Sequence, residues 1–434
     1  MRTLIRNCSA VLPTGTVVTN VLIDGERIAA IDAPETTAAD RVIDATGLHL
    51  IPGVIDDQVH FREPGLTHKE DLTSASRSCA LGGVTSFLEM PNTTPNTITQ
   101  AALEAKLSLG KQKSRVNYGF YIGATPTNVG ELKHAKRTPG IKIFVGSSTG
   151  NLLVDDQAAL EQIYKETSLR ICVHAEDETT IRANAERIGA TTDVRDHSRI
   201  RDHRAAAIAT KRISELANHF EHHTHILHVS SRTELEYLRT PYISAEACVH
   251  HLLLNTLDYD RLGTLVQMNP SLKDPEDNAA LWEALKDGTI EVIATDHAPH
   301  TILEKAVPYP KSPSGMPGVQ TMLPLMLNEV HGGRITLEDL VRWLSTNPAR
   351  IWNMERKGQI VEGFDADLVL VDLDETRVIR HEDQASKCGW TPWHGRTNTG
   401  WPTHTFVMGQ LVMERGQLDD SVRGQEIQYK HDAN

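Results

Sequence analysis

The sequence predicts an α/β fold: a TIM-like (β/α)8 barrel with a small β-sandwich domain assembled from both termini. Three observations carry this expectation. Apolar β-like runs alternate with helical patterns through the middle of a 434-residue chain, and both ends read as short strands. Polar residues also recur at the downstream tips of the apolar runs, in Val59-His60, Val173-His174, Leu227-His228 and Thr295-Asp296. Parallel strands of a barrel end on one rim, so residues far apart in sequence converge there. The expected division is residues 1–50 for the first part of the sandwich, 51–351 for the barrel and 352–434 for the second part.

The elements follow in order. Up to Leu50 the chain offers strands at Leu4–Ile5, Val17–Ile23, Arg27–Ile31 and Val42–Ile43, with Asp24-Gly25 as a hairpin turn. Eight strand candidates come next: Val54–Val59, Val84–Glu89, Val116–Tyr121, Ile141–Val145, Arg170–Val173, His225–Val229, Ile243–Ala247 and Glu291–Ala294. Helical patterns between them include Leu72–Leu81, stopped by Gly82-Gly83, and Ala101–Lys111 behind Asn96-Thr97. Arg182–Arg204 and the proline-rich Thr301–Gly318 read as long loops, the second a candidate lid over the rim or else a plain surface excursion. Near the end, Gly363–Asp367 leads into Leu368–Val371, and Gly409-Gln410 turns Thr405–Met408 into Leu411–Met413. Neither end alone offers much core, so one β-domain built from both is the economical reading.

Composition narrows the partners. A formal net charge of −13 without a block of Lys or Arg speaks against a nucleic-acid surface. No apolar stretch has membrane-spanning length, and Met1–Arg6 has no signal-peptide core. Five scattered cysteines, mostly inside apolar runs, read as core residues of a reducing, cytoplasmic compartment. A small-molecule substrate is the expected partner, and a homo-oligomer is compatible with this composition.

The chemistry concentrates at the strand tips. Alternation puts Asp56, Gln58 and His60 on one face. A lone buried histidine is usually a packing residue, but His174 and His228 recur at equivalent strand ends. Together they suit a metal such as zinc. His225 has the opposite parity to His228 and is assigned to packing. Lys142, inside Ile-Lys-Ile-Phe, is costly to bury as a cation. It is either a neutral, nucleophilic amine able to take up carbon dioxide as a bridging carbamate, or a lysine paired across the barrel floor. Asp296, at the last strand tip, can bind metal and shuttle a proton. The set points to a metal-dependent hydrolase. Arg62, two residues beyond His60, suits a substrate carboxylate, and Asn92 can add hydrogen bonds from the second tip.

With these residues in view, the chain resembles the longer class of dihydroorotases in the amidohydrolase superfamily. The signatures are His60-Phe-Arg-Glu-Pro-Gly-Leu-Thr-His-Lys69, Glu89-Met-Pro-Asn-Thr-Thr-Pro95, Met268-Asn-Pro-Ser-Leu272 and Thr295-Asp-His-Ala-Pro-His300, and the likeness runs from Ile51 to Val369. It implies zinc, one or two ions per chain, on His60, Lys142 as its carbamate, His174, His228 and Asp296. It implies substrate contacts from Arg62, Asn92, Asn269, His300 and the Ser314-Gly315 backbone; His251 also resembles a family position but is assigned an outer or packing role. The implied reaction interconverts dihydroorotate and N-carbamoyl-aspartate in pyrimidine synthesis, with metal-bound hydroxide attacking and Asp296 as base and acid. One position departs: the family's first strand reads Asp-x-His-x-His, and Gln58 replaces the first histidine. An amide oxygen is a weaker zinc ligand than imidazole. A weakened second site, a one-metal enzyme or an inactive chain each follow from that change. The alternatives are a hydantoinase- or allantoinase-like cyclic amidase, and a catalytically silent scaffold.

Overall fold

Val54–Val59, Val84–Glu89, Ile141–Val145 and Ile171–Ala175 are buried at every residue, as parallel strands covered on both faces must be. The structure, a computed structural model, describes residues 1–146 and 152–433. In chain order the strands are β1 (Arg2–Leu12), β2 (Gly15–Asp24), β3 (Arg27–Ile31), β4 (Arg41–Asp44), β5 (His49–Pro52) and β6 (Val54–Val59). The barrel continues with β7 (Val84–Glu89), β8 (Asn117–Phe120), β9 (Ile122–Gly123), β10 (Ile141–Val145), β11 (Ile171–Ala175), β12 (Thr224–Ile226), β13 (Ile243–Cys248) and β14 (Val292–Ala294). The chain returns to antiparallel pairing in β15 (Leu368–Val378), β16 (Thr397–Val407), β17 (Gln410–Glu414) and β18 (Gln417–Leu418).

Strands β6 to β8 pair in parallel, as do β9 to β14, and Tyr121 alone separates β8 from β9. The circle closes where Val59 bridges His297 and the His60 amide donates to the His297 carbonyl at 2.8 Å. Helices alternate with the strands because their starts are capped. Asp71 accepts from the Thr73 and Ser74 amides ahead of Leu72–Leu81, and Thr99 accepts from Ala102 ahead of Gln100–Lys113. The sequence had pointed to Asn96-Thr97 for the second of these; the cap lies two residues further on.

The nine-stranded sheet runs β18-β17-β16-β15-β5-β1-β2-β3, with β4 pairing β1. Both chain ends meet where β5 and β15 pair antiparallel, Leu50 opposite Leu370. Ile5, Cys8, Val21, Ile23, Leu368 and Phe406 are fully buried inside it. The barrel floor is plugged by Trp352, which packs with Ile55, Leu88, Tyr121 and Tyr429 and donates from Nε1 to Asp57 Oδ2 at 2.7 Å. All five cysteines are buried and unpaired, and no described helix is long and apolar enough to cross a membrane.

Further sequence readings need correction; Thr301–Gly318 is not loop throughout, since Thr301 caps a short helix over Ile302–Lys305. Arg182–Arg204 is not a plain loop: Glu178–Ile188 is a helix, capped by Asp177 and ended by Gly189, and Asp196–Ile200 is another. Only Ile181 of the first is buried, so the apolar spacing that announces a helix is nearly absent. The run His225–Val229 ends as a strand at Ile226, because His228 adopts a left-handed backbone with φ +39°.

Candidate active site

At the open rim lies a cavity of about 390 Å³. Its walls bring together His60, Lys142, His174, His228 and Asp296 with Arg62, Asn92, Asn269, His300, Ser314 and Gly315. Gln58 and Lys69 join them. A larger cavity of about 510 Å³ lies elsewhere, against surface ion pairs such as Arg195–Asp260 at 2.5 Å. The strand tips converge on the smaller one. Three of its residues hold left-handed backbones without being glycine: Arg62 (φ +65°), His228 (φ +39°) and Asp296 (φ +47°). Such geometry costs energy and collects at functional positions.

His174 is oriented from behind. Its Nε2 lies 2.9 Å from Glu176 Oε2, and Arg201 pairs with the same carboxylate oxygen at 2.5 Å. Although burial works the other way, Arg201 and His174 hold the Glu176 carboxyl well below its usual range. It therefore accepts, His174 donates from Nε2, and Nδ1 faces the cavity with its lone pair. His228 Nε2 lies 2.9 Å from that Nδ1, and His228 Nδ1 is buried without a hydrogen-bond partner. Burial lowers both imidazoles' pKa values, keeping them neutral. Glu246 accepts from the His228 amide at 3.1 Å and so helps fix its unusual backbone. Its other oxygen takes His225 Nε2, also at 3.1 Å, sealing His225 beneath the site.

The opposite wall is built on β6 and β14. His60 Nδ1 donates to Asn92 Oδ1 at 2.7 Å, and burial lowers its pKa. Neutral His60 thus turns the lone pair of Nε2 toward Asp296 Oδ1, 3.1 Å away. Atoms at that distance share either a proton or a bound cation. Asp56 supports this wall by accepting from the Thr295 amide and hydroxyl, at 3.2 and 2.5 Å. Gln58 turns its amide nitrogen to Asp296 Oδ1 at 3.3 Å, leaving Oε1 buried and unpartnered.

Lys142 lies between the walls, 1% exposed, with Nζ 4.4 Å from the Phe144 ring centre. It makes no hydrogen bond or ion pair among the described residues, so the pairing across the barrel floor is not what is seen. Burial pushes its pKa down to about 8, leaving a substantial share of neutral amine. The donor chemistry of the set, imidazoles, a carboxylate and an amine gathered on one cavity, fits metal ions of the zinc type.

A cationic group completes the mouth. Lys69 Nζ donates to His300 Nδ1 at 3.0 Å, so His300 Nε2 carries the proton and donates to Ser314 O at 3.0 Å. Arg62 Nη2 stands 3.3 Å from that same Nε2, two donors side by side. An anion bridging both would relieve the contact. Gly315 holds the loop here at φ +133°, where a Cβ would come within 2.4 Å of Ala298 O; its own N–H already goes to Gln267 O at 2.9 Å. Lys305, fully buried, staples the same loop by donating to Pro313 O at 2.8 Å. His197 donates to the Met268 carbonyl at 2.7 Å and reaches Asn269 Oδ1 at 3.0 Å. Sequence reasoning missed Lys69, Glu176, Arg201 and His197. Only Glu176, two residues beyond His174 and so on the same strand face, carried a readable signal.

The amidohydrolase family model matches residues 49–412. The chain belongs to that family. Curated relatives of this amidohydrolase include a protein named dihydroorotase from Halobacterium salinarum, 38% identical and covering 93% of this chain and 95% of its own. Proteins of the same name from Methanothermobacter thermautotrophicus and Bacillus subtilis are each 34% identical, covering 95% and 92% of this chain and 95% of their own length in both cases. Among solved structures, the L-hydantoinase (dihydropyrimidinase) from Arthrobacter aurescens superimposes with TM-score 0.92 at 29% identity, covering 96% of this chain and 97% of its own. The dihydropyrimidinase from Brevibacillus agri gives 0.91 at 25% identity, covering 98% of both.

Proposed function

We propose that this amidohydrolase interconverts dihydroorotate and N-carbamoyl-aspartate, a cytoplasmic step of pyrimidine synthesis. The observation that carries the reading is the paired donors Arg62 Nη2 and His300 Nε2, 3.3 Å apart, on the same cavity wall system as the metal-type ligands. A hydantoin ring bears no exocyclic carboxylate for them; dihydroorotate does. The curated relatives support the same substrate by their name.

His60, Lys142 as its carbamate, His174, His228 and Asp296 would hold zinc, one or two ions. Bound there, zinc lowers the pKa of water toward about 7 and polarises a carbonyl. The rest is done by the chain. Arg62 and His300 grip the exocyclic carboxylate, and Asn92, whose oxygen is taken by His60, offers its amide nitrogen. Their fixed geometry presents the ring amide carbonyl to the strand tips. As water adds to that carbon, Asp296 accepts a water proton, and the ring C–N bond breaks as Asp296 returns a proton to the departing nitrogen. Ring closure reverses these transfers. Ser314 and Gly315 cover the ring and limit the entry of further water.

Arg62→Ala tests the substrate assignment. Losing a charge-assisted contact worth about 1.5–3 kcal/mol lowers kcat/KM for dihydroorotate by about 10- to 150-fold, while turnover of a plain hydantoin, if present, stays within about threefold. Equal losses on both substrates would assign a hydantoinase-like specificity. A zinc-loaded wild type inactive in both directions would assign a scaffold.

A further inference from the structure

Away from this chemistry, β13 ends at Cys248 and turns directly into the short helix Val249–Leu253. The turn throws Cys248, His250 and His251 to one side. All three are buried, and one donor atom of each lies within 4.8 Å of the others. Neither histidine lines the catalytic cavity.

The hydrogen bonding leaves these groups unfinished. His251 Nε2 donates to the Pro270 carbonyl at 3.1 Å, which fixes the tautomer and leaves a lone pair on Nδ1. That Nδ1 is buried without a partner, and so is His250 Nε2. Two orphaned ring nitrogens in one buried cluster depart from the rule that buried polar atoms are paired. The rings lie 4.2 Å apart, centre to centre. Burial keeps both imidazoles neutral, with His251 pushed down to about 4, so neither repels a cation.

We propose that Cys248, His250 and His251 form a second metal centre, selective for a borderline, thiolate-tolerant divalent ion such as zinc. One sulfur and two imidazole nitrogens are the donors such an ion prefers, and three protein ligands leave a fourth position. A cavity of about 10 Å³ beside His250, walled by Val249, Thr295, Gly318 and Trp393, is the size of one water. Binding releases the Cys248 proton to solvent and forms the metal–sulfur bond; no redox step is involved. The ion would clip the β13 tip next to Thr295, the residue before Asp296.

Cobalt substitution tests this without reference to turnover. The full-length protein, stripped by chelation and reloaded with Co²⁺, should show a thiolate-to-cobalt charge-transfer band in the near ultraviolet. No such band arises from a centre of nitrogen and oxygen ligands. The band should vanish in Cys248→Ser, with metal content one equivalent lower, and persist in Cys172→Ser, which alters the cysteine beside Lys142. If Cys248→Ser does not fold, His250→Asn with a native circular dichroism spectrum must weaken the cobalt titration tenfold or more. A wild type without the band, a band surviving Cys248→Ser, or an unchanged titration in His250→Asn overturns the proposal. The catalytic reading stands or falls separately, on the Arg62 experiment.

Discussion

Replacing Glu176 by glutamine changes one atom and one charge beneath the floor of the site. The carboxylate is fully buried, accepts from His174 Nε2 at 2.9 Å and pairs with Arg201 Nη1 at 2.5 Å. Glutamine can present either face of its amide. With its NH2 toward His174, the imidazole must become an acceptor at Nε2 and carry its proton on Nδ1, the nitrogen aimed into the cavity. With its oxygen toward His174, the tautomer survives but Arg201 loses its counter-charge. Outer partners of metal-binding histidines are worth about 10- to 100-fold in affinity or rate, or about 1.4–2.7 kcal/mol. The variant should lose metal affinity by that factor in competition titrations against a chromogenic chelator, with a matching fall in kcat/KM. The acid limb of stability should change as well. The native pKa is depressed, so the ionised carboxylate stabilises the fold above the ordinary glutamate value of about 4.3, and this contribution fades as pH falls below it. Glu176→Gln should therefore lose less stability than wild type between neutral and acid pH. A variant with native circular dichroism, unchanged metal affinity and unchanged turnover would refute the orienting role.

Two further outcomes follow from the geometry. With Lys142 held near 8 by burial, its neutral form grows about tenfold per pH unit below that value and levels off above it; at constant dissolved carbon dioxide, reactivation of decarboxylated, metal-stripped enzyme on adding metal should accelerate up to about pH 8 and then plateau, and reactivation in carbon-dioxide-free buffer would contradict a carbamate. Gly315→Ala must displace the loop, since its Cβ would sit 2.4 Å from Ala298 O at φ +133°; misplacement on the ångström scale costs up to about 100-fold in kcat/KM, and a variant with wild-type kinetics would remove this loop from the site.

The barrel was legible because burial on both faces leaves near-continuous apolar runs, and the polar residues at their tips stood out against that background. Lys142 was visible for the same reason: no ordinary buried strand carries an unpaired lysine. What stayed hidden was contact made through space. Arg201 and His197 come from the segment read as a loop, and their partners Glu176 and Asn269 lie far off or on another element. Left-handed backbones at Arg62, His228 and Asp296 leave no mark in a strand pattern, so the β12 run was drawn too long. Trp390, from the segment between β15 and β16, donates to the His300 carbonyl at 2.8 Å, a reach of the C-terminal region into the rim that alternation cannot announce. Gln58 was visible as an oddity, but only coordinates show its amide turned to Asp296.

The seam between Val59 and His297 has a bearing on biogenesis. Because His60 and Asp296 lie just beyond the first and last strands of the barrel, β6 and β14, a nascent chain cannot assemble both sides of the proposed ligand set until nearly the whole barrel has left the ribosome. On the proposed reading, ion capture would wait for the end of barrel folding, and a truncated product stopping short of β14 would lack one side of the proposed ligand set.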